Sequence, residues 1–230
     1  DVMQSIAAEN NLSETAFVNI HENPVSIRWF TPSIEVDLCG HATLASARVL
    51  FEYYPDLAGE EINFDSKSGN LKITKFDRGL CLNFPADYPA EVESELLFSE
   101  ILGIKPLKLL RGKDDYLAIF KSQKQIEEMQ PKFSLLKKVD ARGLVISAPG
   151  DDVDFVSRCF YPEAGIEEDP VTGSAHTMLT PYWATQFNKN ELDAHQLSKR
   201  GGKLNCRLAN ERVLISGNSV IYFEGTISIV

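Results

Sequence analysis

The spacing of apolar residues changes several times along the chain, and each change marks an element. Val2, Met3 and Ile6 fall on one side of Val2 to Glu9 and predict a short helix. Asn10-Asn11 predict its end, because asparagine tolerates the left-handed backbone of a helix stop. Thr15 to Ile20 reads as a strand. Ser26 to Phe30 reads as another, with Ile27 and Trp29 alternating and Pro32 closing the run. From Ala42 to Tyr54 the period lengthens: Leu44, Ala47, Val49, Leu50 and Phe51 recur with small residues Ala42, Ala45 and Ser46 between them, the pattern of a helix packed closely on several sides.

Alternation returns from Ile62 to Phe84 and predicts three strands, punctuated at Ser66-Lys67-Ser68-Gly69-Asn70 and at Asp77-Arg78-Gly79. Pro85-Ala86-Asp87-Tyr88-Pro89 then breaks the pattern and is read as a domain boundary. Beyond it, Glu93 to Leu102 and Ser122 to Met129 predict helices. Lys108 to Arg111, Tyr116 to Phe120 and Leu144 to Ala148 predict strands. Gly173 to about Phe187 predicts a second small-residue helix, which Pro181 should kink or loosen by one turn. Leu204 to Leu208, Arg212 to Ser216 and Val220 to Ile229 predict closing strands. The expected class is α+β: two mostly antiparallel sheets, each wrapped around or packed on one small-residue helix.

The elements also repeat. Arg28-Trp29-Phe30-Thr31-Pro32 matches Arg158-Cys159-Phe160-Tyr161-Pro162, and Asp37-Leu38-Cys39-Gly40-His41-Ala42-Thr43 is a degenerate copy of Asp169-Pro170-Val171-Thr172-Gly173-Ser174-Ala175. Each copy is strand, loop and helix. Two degenerate halves often bury one site between them. The two helix starts, Gly40 to Thr43 and Gly173 to Ala175, are therefore expected to face each other and to hold an anion on their unpaired N–H groups.

Composition narrows the function. At 230 residues with 43% hydrophobic content the chain can bury a sizeable core. Its net charge of −10 and the lack of a basic cluster interleaved with aromatics argue against nucleic acid and against anionic membrane surfaces. No apolar run approaches a membrane-spanning length and the first residues lack a signal-like segment, so a soluble, cytoplasmic protein is expected. The four cysteines, Cys39, Cys81, Cys159 and Cys206, have no metal or redox spacing and are expected as reduced thiols. No metal or nucleotide motif is present, so neither a metal nor a cofactor is expected. His21 and His195 read as surface loop residues, and His176 is placed at the edge of the cleft.

Four ordered segments carry a family resemblance: Asn11-Leu12-Ser13-Glu14-Thr15-Ala16-Phe17, Gly40-His41-Ala42-Thr43, Asp169-Pro170-Val171-Thr172-Gly173-Ser174-Ala175 and Lys199-Arg200-Gly201-Gly202. In order and spacing they resemble the phenazine biosynthesis PhzF-like family. The resemblance implies a diaminopimelate-epimerase-like fold with two pseudo-symmetric lobes, each a curled sheet around a central helix. It implies an N-terminal lobe over 1–87, completed by a returning strand at about 221–230, and a C-terminal lobe over 88–220. The family's usual first strand, with its Gly-Asn-Pro loop, is not found before Val2. The resemblance also implies a cofactor-independent isomerase, often a homodimer, acting on a small carboxylate-bearing substrate in the cleft. Its acid/base glutamate falls on Glu14, its histidine on His41, its aspartate on Asp169 and its small hydroxyl residue on Ser174.

The chemistry has its own logic. Moving a proton between two carbons of an allylic acid needs a group that removes it at one position and returns it at another, and a carboxylate in an apolar cleft has its pKa raised toward neutrality. Glu14 is the candidate, although by itself it also reads as a solvated loop residue or a partner of Ser13. His41 sits where a helix dipole should lower its basicity, suiting a hydrogen-bonding or acid role; an ordinary helix-start residue fits equally. Asp169 suits either the cleft or a helix cap. Gly40, Ala42, Thr43, Gly173, Ser174 and Ala175 are the expected substrate contacts. Related epimerases use a thiol at each helix start. Here Cys39 stands near the first, while the matching place in the second motif is read as Val171, which disfavours a two-thiol racemase.

Overall fold

The computed structural model of the protein describes residues 1–76, 79–93 and 95–228. Its helices are α1 (Val2–Asn10), α2 (Gly40–Tyr53), α3 (Pro55–Ala58), α4 (Glu95–Leu102), α5 (Gln123–Glu127), α6 (Phe133–Leu136) and α7 (Gly173–Phe187), with a single 3-10 turn at Pro162–Ala164. In the first half the strands are β1 (Thr15–Asn19), β2 (Val25–Phe30), β3 (Glu35–Val36), β4 (Glu61–Ser66), β5 (Gly69–Phe76), β6 (Gly79–Pro85) and β7 (Ala90–Glu91). They continue as β8 (Lys108–Arg111), β9 (Asp115–Ile119), β10 (Gly143–Pro149), β11 (Phe155–Tyr161), β12 (Ile166–Asp169), β13 (Glu191–Gln196), β14 (Gly202–Ala209) and β15 (Arg212–Gly217).

The class is α+β, as expected, but the strands join into one continuous curled sheet. Its order is β1-β2-β4-β5-β6-β15-β14-β13-β11-β10-β9-β8-β7, with β3 added to β2 and β12 to β11. The link is β15, whose Ile215 lies opposite Leu82 of β6 on one side and Cys206 of β14 on the other. Most neighbours are antiparallel; β2 with β4, β9 with β10 and β11 with β13 run parallel. The expected closing strand over Val220 to Ile229 is not formed in residues 218–228, which carry no regular secondary structure and expose Val220, Tyr222 and Phe223. Residue Ile229 lies outside the described residues, as do Asp77 and Arg78 of the expected turn and Ser94 in the expected helix from Glu93.

The two central helices are built for burial on nearly every side. In α2, Gly40, Ala42, Thr43, Leu44, Ser46, Ala47 and Leu50 are buried, and small side chains let the sheet close around it. Along α7, burial runs through Ala175, His176, Met178, Leu179, Thr180, Pro181, Trp183 and Ala184. Pro181 does not interrupt α7. It has no N–H to offer Thr177, and the carbonyl so freed accepts the backbone N–H of Asp87 at 3.0 Å instead. The Pro85 to Pro89 break is thereby tied to the second central helix. A separate cluster on the other face of β8 to β11 includes Phe98, Ile101, Phe120, Ile126 and Phe160.

The sequence repeat has a three-dimensional counterpart. Arg28 on β2 makes a two-pronged pair with Glu35 on β3, with Nε–Oε1 at 2.7 Å and Nη2–Oε2 at 2.9 Å. Arg158 on β11 does the same with Glu168 on β12, at 2.6 and 2.9 Å. Each guanidinium also lies over the phenylalanine two residues on, Phe30 at 5.1 Å and Phe160 at 5.2 Å. These planar clamps fix the short return strands that lead into α2 and α7. One local device thus aims both helix starts.

Candidate active site

The two helix starts meet through their glycines. A Cβ on Gly40 would lie 3.2 Å from the Gly173 Cα, and one on Gly173 would lie 3.3 Å from the Gly40 Cα. A Cβ at either position would be in tighter than ordinary contact, and the facing backbone would have to give by a few tenths of an ångström. Both helices are preceded by an extended residue, Cys39 and Thr172, and neither makes a side-chain cap hydrogen bond. Their first N–H groups therefore remain as donors, and the positive ends of two helix dipoles converge on the same space.

That space is a cavity of about 830 Å³. Glu14, Cys39, Gly40, His41, Asp169, Thr172, Gly173 and Ser174 all line it. Among the expected substrate contacts, Gly40, Gly173 and Ser174 are on its wall. Ala42, Thr43 and Ala175 are not; they are turned into the core, 6%, 0% and 0% exposed. The Thr43 hydroxyl is already committed to the Cys39 carbonyl at 2.6 Å. Helical geometry explains the split: only the first residues of each helix face outward from its end, and the next ones turn toward the sheet.

Glu14 reaches the site from the corner between α1 and β1. The preceding Asn11 adopts φ 48°, and its N–H bonds to the Ala7 carbonyl at 3.1 Å, ending α1 as expected. The Glu14 Oε2 lies 3.2 Å from His41 Nε2 with both side chains largely buried. It is close enough for a strong charge interaction but not aligned as a hydrogen bond, and Oε2 has no hydrogen-bond partner among the described residues. On the opposite edge of the ring, Nδ1 lies 4.0 Å from Asp169 Oδ1 and 3.6 Å from the Cys39 Sγ. Asp169 Oδ1 is likewise buried without a hydrogen bond among the described residues. The imidazole thus stands between two carboxylates.

This arrangement corrects the expected electrostatics of His41. Burial opposes its charge, but the surrounding groups outweigh burial: Cys39, then Glu14, then Asp169 push its pKa up. Burial also pushes the Cys39 thiol up, to about 11, so it remains protonated at neutral pH. The Cys39 push acts only through the thiolate, so with the thiol protonated it is the Glu14 and Asp169 carboxylates that favour the His41 cation against burial. Burial, followed by the opposing pull of His41 and the push of Glu14, raises Asp169 from 3.8 to about 6.

The raised Asp169 makes a stability prediction. The folded chain keeps a proton that the unfolded chain releases, so stability is greatest below the unfolded value and falls as pH rises through about 6. The loss amounts to about 3 kcal/mol. Asp169→Asn has no such titration. Relative to wild type, the variant should gain about that amount between about pH 4 and pH 7 in urea unfolding. A stability difference that stays constant over this range would contradict the assignment.

A residue that sequence patterning did not single out holds the Asp169 loop. Gln196, 1% exposed on β13, accepts the Thr172 N–H at 2.7 Å and donates to the Asp169 carbonyl at 2.7 Å and to the Thr172 hydroxyl at 3.1 Å. The Thr172 hydroxyl in turn donates to Asp169 Oδ2. Gly201, with φ 75°, and Gly202, where a Cβ would come within 2.5 Å of Val171, let the next turn pack under the same loop. With Gly40 matched to Gly173, the counterpart of Cys39 is Thr172, not Val171. The conclusion that the second start lacks a thiol is unaffected.

Two histidines also differ from expectation. His195 lies on β13 rather than in a loop. His176 is fully buried rather than at the cleft edge; Nδ1 bonds to the Thr172 carbonyl at 2.7 Å, and burial lowers its pKa to about 4. Neutral at physiological pH, it anchors the first turn of α7. As for metals, donor atoms of Glu14, Cys39 and His41 lie within 4.8 Å of one another. The Cys39 Sγ lies 3.6 Å from Nδ1 and 3.9 Å from Nε2, and Nε2 has Glu14 Oε2 at 3.2 Å. No helix among the described residues is long and apolar enough to cross a membrane.

Comparison with known proteins fits this geometry. An uncharacterized isomerase of Pseudomonas aeruginosa is 49% identical over 227 residues, covering 99% of this chain and 87% of that protein. The crystal structure of a PhzF-family phenazine biosynthesis protein from Enterococcus faecalis superimposes with a TM-score of 0.88 at 45% identity, covering 94% of this chain and 83% of that one. A predicted epimerase from Pseudomonas aeruginosa shares the fold, with a TM-score of 0.67 at 17% identity over 94% of this chain and 84% of that one. The sequence profile of the phenazine biosynthesis-like proteins, PhzC-PhzF, matches residues 1–225, and with these relatives it establishes that the chain belongs to that family.

Proposed function

We propose that the protein is a cofactor-independent isomerase that moves a proton within a small carboxylate-bearing substrate. The observation that carries this reading is the convergence of Glu14, His41 and Asp169 on two uncapped helix starts in one cavity. The relatives named as isomerases support the same class.

The N–H groups at Gly40 and Gly173, with the Ser174 hydroxyl, hold the substrate carboxylate. The Glu14 carboxylate removes a proton from the carbon next to the double bond. The C–H electron pair moves into a new double bond, the old one shifts, and protonated Glu14 returns the proton at the far carbon. Negative charge that builds on the substrate during transfer is met by the His41 cation and the helix dipoles. Asp169 keeps His41 charged and oriented. The reading includes the homodimer that the family resemblance implies and a cytoplasmic setting, with Glu14 in an N-terminal lobe over 1–87 and Asp169 in a C-terminal lobe over 88–220.

The test is to incubate a panel of small β,γ-unsaturated carboxylic acids with the protein in deuterated water and follow them by NMR. Catalysed movement of a double bond without added metal or nucleotide is the expected result. Failure of every acid to isomerise, with the protein folded, would count against the reading.

A further inference from the structure

The cavity adjoins a second depression of about 560 Å³, and Lys113, Asp114, Arg142 and Glu163 line both. Although the chain carries a net charge of −10, this depression has the opposite balance: Arg111, Lys113, Lys137, Lys138 and Arg142 against Asp114, Asp140 and Glu163. Lys113, Lys137 and Lys138 are exposed and make no ion pair among the described residues. Charge of this kind at the edge of a cleft attracts anions.

Arg142 is the built part of this surface. Asp115, only 3% exposed, holds its guanidinium from below through two parallel contacts, Nε to Oδ1 at 3.0 Å and Nη2 to Oδ2. Its plane lies over the Tyr161 ring at 5.3 Å, and the Tyr161 hydroxyl donates to Asp115 Oδ2 at 3.4 Å. Tyr161 is itself seated against Gly143, where a Cβ would come within 2.3 Å of the ring. These contacts fix the guanidinium and use only two of its three nitrogens. Nη1 makes no hydrogen bond among the described residues, and the side chain is 37% exposed. A guanidinium already oriented by a buried carboxylate loses little freedom when it takes a second anion.

We propose that Arg142, assisted by Lys113, docks a second anionic group of the substrate, so that the substrate class is a small molecule with two acidic groups. The proposal rests on the reading above for the first group, which sits at the paired helix starts. Arg142 is then a specificity-determining residue and takes no part in proton transfer. A purely structural Arg142 would stabilise Asp115 and leave ligand preference unchanged.

Acetate, succinate, glutarate and adipate serve as probes, with affinity measured by NMR titration of the full chain. At least one diacid should bind about ten- to a hundredfold tighter than acetate. The variant Asp115→Asn with Arg142→Gln, which removes both charges together, should lower that diacid to the acetate level. Arg142→Lys keeps the charge and loses the fork; it should reduce the preference too, and it decides the matter if the double variant does not fold. Glu14→Gln should keep the diacid preference, so a failed proton-shuttle reading and a failed docking reading give different results. The proposal is overturned if no diacid exceeds acetate by more than about twofold, the advantage of simply carrying two equivalent groups. It is also overturned if folded Arg142 variants keep the full preference.

Discussion

Glu14→Gln is expected to lower turnover by about 10²- to 10⁴-fold while leaving KM within a few-fold of wild type. The amide keeps the size and most of the packing of the carboxylate but cannot accept a proton from carbon. Binding is assigned to other groups, the N–H donors at Gly40 and Gly173, and these do not touch the substituted atom. Loss of turnover with KM retained is the signature of an interaction made in the transition state. The neighbouring His41 should also become easier to deprotonate, because Glu14 is one of the groups that raise it. An NMR titration of the His41 ring in the variant reads that shift directly, and an unchanged ring pKa would place Glu14 outside the network.

The second large effect concerns the glycine contact. Gly40→Ala or Gly173→Ala puts a methyl group 3.2 or 3.3 Å from the opposing Cα, and the obstacle is backbone, not a flexible side chain. The helix starts must move apart. Each single substitution should cost about 1–3 kcal/mol in stability. Because the first N–H groups of both helices shift by a few tenths of an ångström, turnover should fall, by less than the roughly 10²-fold loss that a 1 Å misplacement brings. The two substitutions relieve one and the same contact. Once the helices have separated for the first methyl, the second meets less resistance, so the double variant should be less destabilised than the sum of the singles. Strict additivity in urea unfolding would show that the two glycines do not press on each other.

Part of this site is legible in the amino-acid sequence, for a physical reason: those features are local. Asn11 stops α1 by its own backbone preference, and Gly40 and Gly173 open helices rich in small residues. The Arg28 and Arg158 repeat is visible as spacing, and the Glu35 and Glu168 partners lie only 7 and 10 residues away.

What sequence patterning misses depends on partners far along the chain. The helix position of His41 predicts a weak base, whereas Cys39 beside it, and Glu14 and Asp169 brought in from other elements, push its pKa up. Strand β13 carries only Leu192 and Ala194 as buried apolar residues, because its third buried position is Gln196, spent on the Asp169 loop. Patterning that looks for apolar alternation passes over such a strand. The opposite error arises over the described part of the expected closing strand, Val220 to Ser228. Those residues have strand-like composition, but a strand also needs a neighbouring edge to pair with, and local pattern does not encode that.

The central claim is that Glu14, not the nearby thiol of Cys39, carries the proton. The most direct measurement compares solvent deuterium incorporation into an acid that the wild type isomerises, using wild type, Glu14→Gln and Cys39→Ser under identical conditions. The account predicts that Cys39→Ser incorporates deuterium at close to the wild-type rate while Glu14→Gln does not. Incorporation that survives in Glu14→Gln and disappears in a folded Cys39→Ser would contradict it.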